Sequence, residues 1–462
     1  MRKQLHPSFF ESSFEISNCY DSHVHYYATG EVNFIPSLRL LRSPSDLQQI
    51  QFPKDRQKNG WIYGFGWDDR LWIDLKILNR KTLDEIFPDN PVFFSRVDGH
   101  SSWCNTKGLE KLDFIQSSRG ELTEKARQLN TKHMMVEVDE QNCATGILRE
   151  TAHILSLQQI GDWSNHQKKS MYKTANKIFL GQGYTHVRDM TSTMEQYQFL
   201  KTLEDEQQLL MNLDLNFVVE SGMHFHQLLA DINKISKEKS QQIRVRGIKL
   251  FYDGSLGSQT ALLSAKHPHG GHGVALWNLT DVEQVMKEAF QNHLEVSVHT
   301  LGDEAVDHIV SVAQSLSQKG VFGRLNLEHL ELCRLETIQK MKSLHVRCHQ
   351  QPSHWLSDKN WLLEKMGTQK NHFFQWEVLR GSKVDLRFGS DSPIEFPSVF
   401  KIIEGIVDFA DSGLSTFRGD FKNHCQSPYT DQLPGKSLFR EGRVSEVWFH
   451  GQRCDLATHI ES

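Results

Sequence analysis

The feature that most constrains this chain is a series of eight short strand-like runs, separated over most of its length by amphipathic helices. The runs fall at 14–25, 184–189, 215–220, 246–253, 295–299, 324–329, 345–350 and 385–391. Between them apolar residues recur near the helical period, as in 281–293 (Val285, Met286, Phe290) and 304–317 (Val306, Ile309, Val310, Val312). Eight strands alternating with helices predict an α/β chain folded as a distorted (β/α)8 TIM barrel, with catalytic residues at the C-terminal ends of the strands.

The alternation is broken once. After the first strand, residues 36–168 hold an aromatic block from Trp61 to Asp69 and a strand-like run from Pro91 to His100 instead of a helix and a second barrel strand. This stretch is expected to be an inserted subdomain covering the active site, leaving 20–35 plus 169–429 as the barrel. The segment 443–453 predicts a strand pair around Gly451, able to pair with the strand before His23. Residues 1–19 plus 430–462 would then form a reduced β appendage.

The chemistry begins at Asp21-Ser22-His23-Val24-His25. Residues two apart on a strand face the same side, so His23 and His25 point together into one cavity. Polar groups near the ends of later strands are Lys249, His299, His329 and Asp391. Imidazole and carboxylate suit zinc, iron or manganese, but an ammonium group would repel a cation. A lysine whose pKa is depressed by burial can add carbon dioxide, and the resulting carbamate has two oxygens able to bridge two metals. The expected cofactors are therefore two divalent metals, zinc first with iron or manganese as alternatives, and a carbamate on Lys249.

Composition narrows the partners. Lys plus Arg total 52 against 57 Asp plus Glu, a net charge of −5, which provides no footprint for nucleic acid or an anionic membrane. The partner expected is a small-molecule amide, with a homodimer entertained as the assembly. The seven cysteines are odd in number and include no Cys-x-x-Cys pair, which argues for reduced thiols in a cytoplasm. No apolar run follows the basic residues Arg2 and Lys3, so no signal peptide is expected, and no stretch reaches the length of a membrane span.

The chain resembles the metal-dependent amidohydrolase superfamily, in its amidohydrolase family 3 branch. The resemblance is carried by Asp21–His25, Gly60–Asp68, Arg96–His100, Thr145–Glu150, Ile248–Ser258, His299–Asp303, Glu328-His329 and Gly389–Pro393, in the family's order. It implies that His23, His25, Lys249, His299, His329 and Asp391 hold the metal site. Family members usually carry a longer N-terminal segment than the 22 residues before His23, so a full β-sandwich is not expected.

On this reading the protein hydrolyses a non-peptide carbon–nitrogen bond, with a metal-activated bridging hydroxide as nucleophile and Asp391 as proton shuttle. His100, Trp103 and Asp253 are the expected substrate contacts. Two rivals remain: a mononuclear metal-dependent deaminase on the same barrel, which Lys249 would distinguish, and a non-catalytic barrel binding protein, which metal content would distinguish.

Overall fold

The computed structural model describes residues 13–454 and 456, apart from 69–77, 97–100, 131–134, 224, 258–259, 268–269 and 418–420. The chain forms two compact units, one of residues 1–29 with 176–462 and the other of residues 30–175.

The first unit is built on eight parallel strands: β1 (Tyr20–Val24), β2 (His186–Ser192), β3 (Asn212–Val218), β4 (Ile243–Phe251), β5 (Glu295–Thr300), β6 (Leu325–His329), β7 (Val346–Gln350) and β8 (Asp385–Phe388). Each pairs with its neighbour in chain order from β1 to β8. The ring closes where the β8 segment runs on past its last paired residue. There Asp391 N donates to His23 O and His25 N donates to Ser392 O, both at 2.8 Å. The distorted (β/α)8 barrel is thus the observed fold.

The helices follow their predicted faces. Helix α1 (Leu279–Gln291) starts at Asn278, whose side chain accepts from Asp281 N, and it buries Val282, Val285, Met286, Ala289 and Phe290. Helix α2 (Asp303–Gln318) buries Val306, Ile309, Val310, Ala313 and Leu316. Burying such a stripe contributes most of a short helix's stability, since isolated helices of this length are marginal. Among the described residues no helix is long and apolar enough to cross a membrane.

At the termini, Phe14–Ser17 pairs antiparallel with Gly435–Arg440, which pairs with Arg443–Phe449 and then with Gln452–Arg453. The direct partner of the N-terminal strand is therefore Gly435–Arg440, not the expected 443–453 pair. That strand hides Ser437 and Phe439 on its inner face, too weak an apolar alternation to read as a strand.

The second unit carries a five-stranded sheet in the order Ile62–Trp67, Val92–Arg96, Ser101–Cys104, Ala144–Arg149, Val136–Val138. Its core gathers Leu38, Leu47, Ile62, Trp67, Val92, Phe94, Trp103 and Ile147.

Candidate metal centre

Six of the predicted site residues converge at the C-terminal end of the barrel. His23 and His25 leave the end of β1, Lys249 lies on β4, His299 on β5, His329 ends β6, and Asp391 follows β8. Strand register sets their heights: Lys249 pairs with Ser297, Phe251 with His299, and Thr300 with His329. The rings of His23 and His329 are 4.6 Å apart by centroid, and those of His299 and His329 are 4.5 Å apart. His329 and Asp391 hold left-handed backbone, with φ of 70° and 60°. Such conformations cost of order 1–3 kcal/mol and cluster where function demands a geometry.

Asp391 is the hub. Its Oδ1 lies 3.3 Å from His23 Nε2 and 3.0 Å from His25 Nε2, while Oδ2 lies 3.6 Å from His354 Nε2. Burial opposes its ionisation, but the imidazoles of His23, His25 and His329 hold its carboxyl well below the usual carboxylate range.

The second nitrogen of each imidazole is committed elsewhere. His23 Nδ1 donates to Glu328 Oε2 at 2.6 Å, since a carboxylate can only accept. His25 Nδ1 meets Thr191 Oγ1 at 3.2 Å, and His329 Nδ1 donates to Gln351 Oε1 at 3.0 Å. His299 Nε2 donates to Gly254 O at 3.2 Å, which leaves Nδ1 for the site. Ring nitrogens tied back in this way fix the tautomer and aim the free nitrogen, as metal-ligating histidines require. Burial, with the nearby Lys249 charge, pushes His299 down to about 3, and His329 is depressed likewise, so both are neutral and able to ligate.

Lys249 is fully buried, and burial pulls its amine down to about 8 against the opposing charges of Glu328 and Asp391. Among the described residues its Nζ has no hydrogen-bond partner, and neither have His23 Nε2, His354 Nε2 and Asp391 Oδ1. An unpaired buried polar atom costs roughly 1–3 kcal/mol, so four in one cluster need a common partner. A divalent cation fits the donor chemistry: groupings of His23, His25 and Asp391, and of His329, His354 and Asp391, bring their ligand atoms within 4.8 Å of one another.

The expected substrate contacts fare differently. Asp253 is taken up by backbone: Oδ1 accepts from Leu301 N at 3.0 Å, and Oδ2 accepts from Leu262 N and Gly302 N, both at 2.9 Å. It pins the loops after β4 and β5. Trp103 is fully buried in the core of the 30–175 unit, where its indole donates to Asn79 O at 3.1 Å. His100 lies outside the described residues.

Three residues were not foreseen. His354 stands in the first turn of the helix Pro352–Met366, and Glu331 Oε1 accepts from its Nδ1 at 3.2 Å. Burial works against its protonation, but Glu331 and Asp391 push it up to about 9. Glu328 and Arg188, both fully buried, form an ion pair at 2.8 Å behind His23. A cavity of about 1280 Å3 lined by Tyr197, Lys201, Glu204, Arg244 and Phe449 contains none of these site residues.

The sequence profile described as the Amidohydrolase family matches residues 20–410. The protein YtcJ of Bacillus subtilis (strain 168) is 25% identical over 385 residues, covering 81% of this chain and 69% of that protein. Two crystal structures of uncharacterised metal-dependent hydrolases share the fold. That from Pyrococcus furiosus has a TM-score of 0.68 at 27% identity, over 90% of this chain and 81% of its own. That from Pyrococcus horikoshii OT3 has a TM-score of 0.69 at 24% identity, over 90% and 80%. With its barrel, its convergent imidazoles and carboxylate, and a family match over most of its length, the chain belongs to the amidohydrolase family of metal-dependent hydrolases.

Proposed function

We propose that this protein hydrolyses a carbon–nitrogen bond of a small-molecule amide at a binuclear centre held by His23, His25, Lys249 as its carbamate, His299, His329 and Asp391. The observation that carries this reading is the cluster of four buried atoms without a hydrogen-bond partner among the described residues, above all Lys249 Nζ. A buried amine depressed to about 8 is neutral often enough to add carbon dioxide, and the carbamate would turn a repelling cation into an anionic ligand. Membership of the amidohydrolase family supports the bond type, and seven free thiols support a cytoplasmic setting.

Two divalent cations, when bound, would lower the pKa of a water between them and polarise the substrate carbonyl. The chain's own groups do the rest. Asp391, kept ionised by its imidazole neighbours, accepts the proton of the attacking water and returns it to the leaving nitrogen. Glu328 holds His23, Thr191 holds His25 and Gln351 holds His329, so the ring orientations are set before substrate arrives.

The test is elemental analysis of the chelator-free protein and of Lys249→Ala, followed by an amide screen on the loaded enzyme. About two metals per chain, falling sharply in the variant, with release of amine from some amide, is the expected result. One metal unaffected by the substitution would overturn the binuclear reading in favour of a deaminase, and no metal would overturn the enzymatic one.

A further inference from the structure

We propose that His354 is a further metal ligand, which binds through Nε2 the cation on the His329 side of Asp391. The inference rests on the binuclear reading above and extends its ligand set to the helix after β7.

The geometry begins with Asp391, whose two oxygens face different imidazoles. Oδ1 faces His23 and His25, and Oδ2 faces His354 at 3.6 Å. Glu331 accepts from His354 Nδ1 at 3.2 Å, so the ring presents its Nε2 to the carboxylate. Both His354 and Asp391 are buried, and Nε2 has no hydrogen-bond partner among the described residues. In this low-dielectric space a positive charge must stand between the ring and the carboxylate, either the proton that Glu331 and Asp391 favour in the metal-free protein or a metal ion that displaces it.

Distance separates the two. A charge-assisted N–H···O bond closes to about 2.7–2.9 Å. Two ligands of one tetrahedral zinc, each about 2.0–2.1 Å from the metal, stand about 3.3–3.4 Å apart. The observed 3.6 Å lies nearer the second value, and the His23–Asp391 separation of 3.3 Å matches it.

A third ligand is in place. His329 lies beside His354 with rings nearly parallel, 19° between planes and 6.1 Å between centroids, and its Nδ1 is committed to Gln351. The ligand atoms of His329, His354 and Asp391 fall within 4.8 Å of one another. The flanking acids repeat one design: Glu328 supports His23 and Glu331 supports His354. Carboxylates of this kind orient metal-binding imidazoles and raise their basicity.

The experiment is titration of the metal-free protein with cobalt(II), read by stoichiometry, affinity and visible absorption, for wild type, His354→Gln, His354→Ala and Glu331→Gln. The expected result is two cobalt ions in wild type. One of them should bind at least 10-fold more weakly in both His354 variants, with altered absorption, while Glu331→Gln weakens the same ion to a smaller degree. Added imidazole should restore the His354→Ala spectrum. Two ions bound by both His354 variants with wild-type affinity and spectrum would overturn the inference, leaving the binuclear reading intact and His354 as a hydrogen-bond donor to Asp391. Wild-type protein that binds no cobalt would overturn both together.

Discussion

Glu328 Oε2 lies 2.6 Å from His23 Nδ1, and the other carboxylate oxygen lies 2.8 Å from Arg188 Nη1. All three side chains are fully buried, and Arg188 Nη2 donates onward to Ser297 Oγ. Burial opposes the charge on Glu328, but Arg188, His349 and His23 together hold its carboxyl well below the usual range. The His23 imidazole is thus anchored to an ion pair in the barrel interior.

Cutting the two sides of this pair should have different consequences for metal binding, because only Glu328 touches His23. Glu328→Gln keeps the shape but weakens the acceptor behind His23, so metal affinity should fall about 10–100-fold, and it leaves the buried Arg188 guanidinium without its anion at a cost of about 3–5 kcal/mol. Arg188→Ala leaves a buried carboxylate without its cation, which costs about 3–5 kcal/mol. Metal titration and denaturant unfolding of the two variants check this. Little loss of stability in either variant would show that the pair does not act through charge.

Asp391→Asn tests the proton shuttle. The amide can still reach a cation through its oxygen, but it cannot accept a proton. Turnover of any amide found in the screen should therefore fall by about 10²–10⁴, with much of the metal retained. Parallel measurement of kcat and metal content separates loss of chemistry from loss of the site. Full activity in this variant would remove Asp391 from the reaction.

The barrel was legible because each strand-helix unit announces itself by a change of period, and the strand ends then draw attention to their polar residues. His354 escaped that search because it stands in the first turn of a helix, beyond the end of β7. A usable signal was present: Pro352 pre-sets the first helical φ, so a histidine two residues on sits at the barrel mouth. Arg188 and Glu328 were also visible in principle, as charged residues within strands that a doubly covered parallel sheet would make apolar. Their partnership was not, since 140 residues separate them and only the closed ring brings them together. Asp253 was ambiguous because a carboxylate at a strand end suits a loop-pinning acceptor of backbone N–H groups as well as a ligand contact.

Gly389 shows how tightly the ring closes against β1. A Cβ added there would lie 2.6 Å from His23 N, 2.9 Å from His23 Cβ and 3.0 Å from Asp21 Oδ1. The first two neighbours belong to β1 itself and cannot swing aside as a flexible side-chain end would. Gly389→Ala should therefore displace β1 or β8 at a cost of about 1–3 kcal/mol and weaken metal binding by moving His23 away from Asp391. Unfolding and cobalt titration of the variant, alongside an alanine at the unobstructed Gly381, provide the comparison.

Acid sensitivity should trace in part to His186, far from the site in chemistry. Asn212 Nδ2 donates to its Nε2 at 2.8 Å, and the same amide donates to Leu433 O at 2.6 Å, which fixes the amide's orientation. His186 Nε2 is therefore an acceptor, and its Nδ1 donates to Thr185 Oγ1 at 2.9 Å. Burial, aided by the charge of Arg246, pushes the ring down to about 3 from its ordinary 6.5. Between those values the unfolded chain binds a proton that the folded one refuses, so stability rises with pH and is lost as pH falls below about 6.5. At pH 5 the cost is about 2 kcal/mol, against almost none at pH 7. His186→Gln cannot titrate, and it loses packing and hydrogen bonds equally at both pH values. Denaturant unfolding should therefore show the gap between wild type and variant narrowing by about 2 kcal/mol from pH 7 to pH 5. A gap that stays constant would mean that His186 is not held neutral by the fold.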